Sequence, residues 1–359
     1  DYDVEIPSLR RHFKASDDES ILAAALRNKI SLNFKCGNGS CKTCVAQLLS
    51  GTIAYPWKPP RALTDSDIAR GEILVCQAAA TSDLQIEAKV RTGLMEEMRL
   101  HELKLALDGI HIRTGMATVT GLDRVSHDVT MLRLRPDRAP SWLPGQYLTI
   151  GANGIERDFS IASLPADDAF ELHIRHVPGG RFTSWIGDGI KIGDVVSWEG
   201  PLGTFFHRAR SNRPMLLIAG GTGFSPIKGV ILSAMAQQKR TPMRLYWGVR
   251  AERDLYAADL ARQWAAGGDL AFIPVLSEPD PDDGWTGETG FVHSAVERGE
   301  RALAGHDIYI AGPPPMVASA TAVVLAKGAR ADRIFTDSFD FSASTQNRIA
   351  ADADAVAAG

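Results

Sequence analysis

The sequence predicts a multi-domain protein: a small cysteine-bearing unit, then an antiparallel β-barrel, then an α/β unit built on a parallel sheet. Three observations carry this. The four cysteines fall near the N-terminus as C-x4-C-x2-C and a distant fourth: Cys36, Cys41, Cys44 and Cys76. From Ala117 to about Arg208, short alternating runs are separated by Gly, Pro and Asp, the pattern of an antiparallel barrel. From Pro214 the rhythm changes to apolar strand, glycine turn and helix, which implies parallel strands covered by helices on both faces. At 359 residues the chain is too long for one ordinary core and fits domains of roughly 100 to 150 residues each.

Composition narrows the function classes. A hydrophobic fraction of 45%, a charged fraction of 23% and 33 glycines describe a globular protein with many turns. A formal net charge of -4 leaves no basic stripe, so no nucleic-acid partner is expected. No window approaches the roughly 18 to 20 apolar residues of a membrane helix, and the opening DYDVEIPSLR lacks a basic and then apolar leader. The expectation is a cytoplasmic protein with no membrane partner.

The first unit, expected over 1–90, opens with extended runs Val4 to Leu9 and Arg11 to Lys14, read as a hairpin. Ser16-Asp17-Asp18-Glu19 then supplies an acidic start for a helix over Ser20 to Asn28. Val45 to Ser50 is compatible with helix or strand, and Cys76 falls in an apolar, strand-like run. The cysteine spacing is that of a plant-type [2Fe-2S] cluster. Each iron takes two thiolates, and the loop from Cys36 to Cys44 can wrap three of them because Gly37 and Gly39 permit unusual backbone angles. A zinc site would usually show two close C-x2-C pairs, and only one is present. A Rieske centre would need histidines in place of two thiolates, and none lies between Cys36 and Cys76. Lys35 and Lys42 flank the loop and can steer an acidic partner, although solvated lysines on a surface are commonplace.

Residues 91–112 are charged and helix-like without a compact pattern and are expected to be a linker. The barrel, expected over 113–210, shows strand-like runs at Met131 to Leu134, Gln146 to Ile150, Phe159 to Ala162, Phe170 to His176 and Val195 to Glu199. It carries Pro144-Gly-Gln-Tyr147, Arg157-Asp158-Phe159-Ser160 and Gly179-Gly180-Arg181-Phe182-Thr183. His173 and His176 read as structural strand histidines.

The α/β unit, expected over 211–338, has strands at Met215 to Ala219, Arg244 to Val249, Ala271 to Leu276, Asp307 to Ala311 and Arg333 to Phe335. Its helices are expected at Pro226 to Gln238, Leu255 to Trp264 and Pro315 to Lys327. Gly220-Gly221-Thr222-Gly223 follows the first strand and opens a helix, where backbone N–H groups and the helix dipole can meet a dinucleotide pyrophosphate. Ala311-Gly312-Pro313-Pro314-Pro315-Met316 follows a later strand in the same way. Residues 339–359 read as a mobile tail.

These motifs resemble those of a known family. Arg157-Asp158-Phe159-Ser160, after the Pro-Gly-Gln-Tyr turn, is similar to the R-x-Y-S flavin-binding motif of the ferredoxin-NADP reductase superfamily. Gly221-Thr222-Gly223 and Gly312-Pro313-Pro314 resemble its nucleotide motifs. The first unit resembles the ferredoxins of the β-grasp fold. The resemblance implies that Arg157 reaches the FAD pyrophosphate, Phe159 the flavin ring and Ser160 the flavin N5. It implies further FAD contacts at Gly180, Arg181, Phe182 and Thr183. Two departures stand out: Phe159 replaces the usual tyrosine, and Ala311 stands where many members have cysteine. Phe339, close after Asp337, sits where relatives place an aromatic residue near the flavin.

The module order is similar to that of reductase components of bacterial aromatic-ring Rieske oxygenases, and His173 to Phe182 looks especially like terephthalate dioxygenase reductases. The resemblance implies NADH as reductant, FAD, a [2Fe-2S] cluster, and a terminal oxygenase component or its ferredoxin as partner. Reductases of soluble di-iron monooxygenases and of deoxysugar dehydration use the same modules. A redox sensor without turnover is the rival from another class. For the nucleotide, Glu252 and Asp254 favour NADH, whereas Arg250 and Arg253 leave NADPH possible.

Overall fold

The computed structural model describes residues 1–34, 37, 39, 42–57, 59–91, 94–138, 140–177, 180–237 and 241–339. Lys35, Cys36, Cys41 and the expected tail from 340 onward lie outside the described residues. The described chain forms two compact units, Asp1–Ala106 and Leu107–Phe339.

The first unit begins with β1 (Tyr2–Ile6) and β2 (Arg11–Ala15), an antiparallel hairpin. Pro7–Leu9 is a tight 3-10 turn rather than the end of the first strand, with Pro7 setting its start. Next come α1 (Ile21–Arg27), β3 (Ser31–Leu32), β4 (Val45–Ser50), β5 (Ile53–Ala54), α2 (Asp65–Ala69), β6 (Glu72–Leu74), β7 (Ala79–Ala80), β8 (Leu84–Ala88), β9 (Val90–Arg91) and α3 (Leu94–Ala106). The five-stranded sheet runs β2-β1-β8-β4-β6, with β1 and β8 parallel. The Ser20 hydroxyl caps α1 by accepting from Ala23 N at 3.1 Å, leaving Ile21, Leu22, Ala24 and Ala25 to be buried with Val4, Ile6, Phe13 and Ile86. One helix laid on a mixed sheet of this order is the β-grasp fold.

Two expectations change here. The segment 91–112, read as a linker, contains α3, whose Glu96 is buried and accepts from the Ser31 hydroxyl at 2.6 Å. That helix therefore belongs to the first unit. Cys76 lies in the turn between β6 and β7, not in a strand.

The second unit starts with six barrel strands: β10 (Arg113–Arg124), β11 (Val129–Pro136), β12 (Tyr147–Ala152), β13 (Ile155–Ser160), β14 (Phe170–Arg175) and, after α4 (Arg181–Asp188), β15 (Val195–Leu202). They pair in the order β13-β12-β15-β10-β11-β14, and the Ile161 to Leu172 bridge nearly closes the cylinder. Inward residues such as Leu132, Leu134, Leu148, Phe170, Leu172 and Trp198 fill it.

The α/β half contains β16 (Met215–Gly220), α5 (Phe224–Ala236), β17 (Met243–Val249), α6 (Ala258–Ala266), β18 (Ala271–Leu276), β19 (Glu288–Thr289), α7 (Val292–Gly299), β20 (Asp307–Gly312), α8 (Pro314–Ala326) and β21 (Ile334–Ser338). All pairs are parallel, in the order β19-β18-β17-β16-β20-β21. Every residue of β16 and β20 is buried, as strands covered on both faces require. The helix expected from Leu255 starts at Ala258, because Glu252–Asp254 forms a separate 3-10 turn. The short β19 and α7 carry no strong sequence signal and were not expected. Chain direction across the sheet reverses between β16 and β20, the place where such sheets bind ligands.

Candidate functional site

At that reversal point the glycine turns meet. Gly223 is packed so tightly that a Cβ would lie 2.0 Å from the Ala311 carbonyl oxygen, so only glycine fits. Gly221 has φ +54°, and its carbonyl accepts from the Trp247 indole at 2.9 Å. Trp247 in turn stacks on Phe224 at 4.1 Å between ring centroids. The turn Gly221–Gly223 thus rests on a rigid aromatic floor, and no side chain caps the helix that follows. The Phe224 N–H is taken up by the carbonyls of the turn itself, and the positive end of the helix dipole is where an anionic group is favoured. Met316, at the start of α8, covers both Gly220 and Gly312. Ala311, in the position of the family's cysteine, is fully buried and brings no thiol.

The flavin motif arrives from the barrel. β13 pairs with β12 so that Tyr147 faces Ser160 and Ile150 faces Arg157. Arg157 is half-buried, with its Nη1 donating to the Glu156 carbonyl at 2.7 Å. Phe159 stacks on Phe182 at 5.7 Å, so loss of the tyrosine hydroxyl still leaves an aromatic surface. Phe182 itself is a barrel core residue. Gly180 opens α4 with no side-chain cap, leaving first-turn N–H groups suited to a phosphate. The Thr183 hydroxyl is engaged with Val177 and Gly180 and holds the loop in place.

Ser160 connects the two halves. Its hydroxyl donates to Asp337 Oδ2 at 2.9 Å, and its carbonyl accepts from the Ser225 hydroxyl at 2.9 Å. Asp337 lies on β21 opposite Ala311, and Gly312 opposite Ser338. Phe339 N donates to the Gly312 carbonyl at 3.0 Å, placing half-buried Phe339 at this same turn. Ser160, Ser225 at the start of α5, the Gly312 turn and Phe339 are therefore brought together, while Arg157 and Phe159 lie further back along β13. Sequence reasoning missed the Asp337 carboxylate as the partner of Ser160. It also missed Arg175, whose guanidinium lies 3.0 Å from where a Gly221 Cβ would be, and Ser225. Each had a signal only in its neighbourhood: Asp337 two residues before Phe339, Arg175 within the His173 to Phe182 segment and Ser225 two residues after Gly223. Arg250 is exposed beyond β17, at the same edge of the sheet. Asp254, expected to help read the ribose, is turned inward: it is buried and its Oδ2 accepts from Ala251 N at 3.1 Å.

In the first unit, Cys44 and Cys76 are buried. Gly37 and Gly39 have φ of +76° and +81°. Their carbonyls accept from the Gln77 side chain and from Ala62 N, each at 3.0 Å, which ties the loop to the turn that carries Cys76. Two buried cysteines on a loop and a turn tied together in this way fit the ligand positions of an iron–sulfur cluster. Lys42 is ion-paired with buried Asp67, whose carboxyl is held well below its usual range chiefly by that lysine. Lys42 is thus a structural cation rather than a loose steering charge.

Known families match all three modules: a 2Fe-2S iron-sulfur cluster binding domain over residues 4–81, an oxidoreductase FAD-binding domain over 116–207 and an oxidoreductase NAD-binding domain over 217–322. The chain is 32% identical over 331 residues to the CDP-6-deoxy-L-threo-D-glycero-4-hexulose-3-dehydrase reductase of Yersinia pseudotuberculosis, covering 91% of this chain and 95% of that relative. It is 33% identical over 329 residues to the phenol hydroxylase P5 protein of Acinetobacter pittii, with 90% of each chain covered. A solved ferredoxin reductase in carbazole 1,9a-dioxygenase superposes with a TM-score of 0.68 at 30% identity, covering 94% of this chain and 98% of the other. The chain belongs to the family of ferredoxin–NAD(P)+ reductase flavoproteins that carry their own [2Fe-2S] domain. It is an oxidoreductase that transfers electrons with FAD, an iron–sulfur cluster and a nicotinamide nucleotide. Among the described residues no helix is long and apolar enough to cross a membrane.

Proposed function

We propose that this protein is the NADH-dependent reductase of an aromatic-ring Rieske oxygenase, delivering electrons to the terminal oxygenase component or to its ferredoxin. The observation that carries the redox reading is the Ser160–Asp337 hydrogen bond, which joins the flavin strand to the nicotinamide half beside the Gly312 turn. Bound FAD would accept a hydride and release electrons one at a time, and the cluster would pass them on. The chain's own residues supply alignment. Arg157 and the first turn of α4 would bind the phosphates of FAD, Phe159 and Phe339 would bound its ring, and the Ser160 hydroxyl, whose proton goes to Asp337, would have to turn from that carboxylate to donate to N5. Gly221, Thr222 and Gly223 hold the nicotinamide nucleotide's pyrophosphate against the start of α5. The Gly312 to Pro314 turn lets the nicotinamide approach closely. Cys36, Cys41, Cys44 and Cys76 hold the cluster.

The choice of partner draws on the carbazole dioxygenase reductase, which matches over nearly its whole length. A second reading, that the chain serves a di-iron monooxygenase or a deoxysugar dehydrase, is favoured by equally similar relatives named as a phenol hydroxylase protein and a hexulose dehydrase reductase. Reconstitution decides between them. The reductase, NADH and a Rieske oxygenase should turn over an aromatic substrate, whereas turnover only with a di-iron hydroxylase or dehydrase would support the second reading. NADH-driven reduction of a one-electron acceptor at catalytic rates is the test against a sensor that binds cofactors without turnover.

A further inference from the structure

His173, which reads from sequence as a structural strand residue, is at the centre of a buried chain of polar groups between the barrel and the nucleotide half. Its ring lies on β14. Nε2 is 2.9 Å from Glu171 Oε1 and Nδ1 is 2.9 Å from the Tyr256 hydroxyl. Glu171 is also ion-paired with Lys228 of α5, both side chains being 12% exposed, and Arg133 Nε stands 3.5 Å from its other oxygen. Burial would raise the Glu171 carboxyl, but the hydrogen bond from His173 and the charge of Lys228 prevail and hold it down at about 2. Burial lowers His173 and raises Tyr256. At neutral pH Glu171 is therefore a carboxylate, His173 a neutral imidazole and Tyr256 a neutral phenol. The tautomer follows: Nε2 carries the proton and donates to Glu171, and Nδ1 accepts from Tyr256.

This chain of bonds has a direction across the molecule. Glu171 and His173 belong to the barrel strand that leads to Arg175, beside Gly221. Lys228 lies one turn into the helix that begins at the glycine turn, and Tyr256 follows the loop after β17. The same helix is pressed on the barrel backbone, since a Cβ on Gly229 would meet Gly145 N and the Ile161 carbonyl, each at 3.1 Å. Its Ser225 holds the Ser160 carbonyl. A shift of α5 along the barrel would move the nucleotide-binding turn relative to Ser160, and the four-residue chain is what resists that shift. Buried charged pairs of this kind serve register better than they serve raw stability.

We propose that Glu171 and His173 are positioning residues for hydride transfer, setting the depth at which the nicotinamide meets the flavin by bolting Lys228 and Tyr256 to the barrel. The inference rests on the reading of this crevice as the site of hydride transfer from NADH to FAD. Small misplacements of reacting groups cost rate steeply, even when binding is preserved.

The experiment uses the full chain with both cofactors. Glu171→Gln, Lys228→Met and Tyr256→Phe are compared by stopped-flow flavin reduction at saturating NADH, and the long-wavelength charge-transfer absorbance of NADH on oxidised flavin is recorded. FAD content and iron content are measured for each. The expected result is a flavin reduction rate at least tenfold slower in Glu171→Gln and Lys228→Met and several-fold slower in Tyr256→Phe. Charge-transfer absorbance should weaken while the NADH dissociation constant changes less than threefold. Glu171→Gln combined with Lys228→Met should be no slower than either alone, and Lys228→Arg should restore most of the rate. Wild-type reduction rates per bound flavin in these variants would overturn the proposal, whatever happened to their melting temperatures. Because Tyr256→Phe preserves the packing, an unchanged rate and charge-transfer band in that variant alone would also overturn it. If NADH fails to bleach the flavin of the wild-type protein, the reading of the site fails instead.

Discussion

The cluster loop and the flavin–nicotinamide crevice are both redox sites, but they are assembled in opposite ways. The loop draws its expected ligands from a short span and one turn of the same unit, and two glycines with positive φ and hydrogen bonds from Gln77 and Ala62 help to shape it. The crevice is made of segments far apart in sequence. Ser160 and Asp337 are separated by 177 positions, and they meet only because a barrel strand and the last strand of a parallel sheet end at one place. The first kind of site is specified by spacing and the second by packing. A substitution should therefore act differently on each.

The largest effect is expected at the loop. Cys76→Ser should remove the cluster or leave it unstable, because one thiolate of four is lost, while NADH still reduces the flavin at close to the normal rate. Iron content and stopped-flow flavin bleaching are the measurements. Full iron occupancy in this variant would break the ligand assignment.

In the crevice unit, acid should act through Glu171. Its carboxyl is at about 2 in the folded protein against an ordinary 4.5, so the unfolded chain binds the proton more tightly. The stabilisation is complete above pH 4.5 and is lost progressively as pH falls toward 2, amounting to about 3 kcal/mol. Glu171→Gln should flatten the pH dependence of stability in that window, as read by denaturant unfolding from pH 5 downward. An unaltered slope would mean that the buried pair does not carry it.

The same contrast explains what could be read from the sequence. The cysteine spacing, the alternating barrel runs and the strand–glycine–helix rhythm are periodic or local signals, and they lead to the three folds. Gly223 is visible as part of a motif, yet the carbonyl of Ala311 that makes a side chain impossible there is not. The helix over 94–106 looks like a linker because its apolar pattern is weak; its anchors are the buried Glu96 carboxylate on Ser31, the buried Leu103 and Arg99 over Phe34. Asp254 looks like a ribose reader by position, and only the backbone conformation of its turn shows that it faces inward. Likewise His173 gives no hint in sequence of Tyr256, nor Glu171 of Lys228, since those contacts depend on how the barrel packs against the helices and loops of the nucleotide half.

Ser160→Ala should slow flavin reduction by roughly tenfold to a hundredfold, as expected for loss of one contact made at the reacting atoms, with FAD occupancy almost unchanged. Arg157→Ala should do the reverse and weaken FAD retention. Equal retention in both variants would show that the strand does not divide its roles in this way.

The smallest effect concerns nucleotide choice, where the inward turn of Asp254 changes the balance of charges. Of the two acids in the loop after β17, Glu252 remains partly exposed, with its side chain 3.8 Å from Arg262, while Asp254 is engaged with the backbone of its own turn. A carboxylate there accepts bonds from a ribose 2'-hydroxyl and repels a 2'-phosphate, so Glu252 alone supports NADH. Arg250 is exposed, and its carbonyl is fixed by Glu278 N at 2.8 Å, which anchors the backbone while leaving the side chain to reach a phosphate. Loss of one charge-assisted contact of roughly 1.5 kcal/mol corresponds to about tenfold in affinity. Arg250→Ala should therefore raise the KM for NADPH about tenfold and the KM for NADH much less, Glu252→Gln should improve NADPH use, and Asp254→Asn should leave the ratio unchanged. Steady-state kinetics with both nucleotides measure all three. A ratio that moves with Asp254 and not with Arg250 would assign the reading of the 2' position to the buried side of the turn.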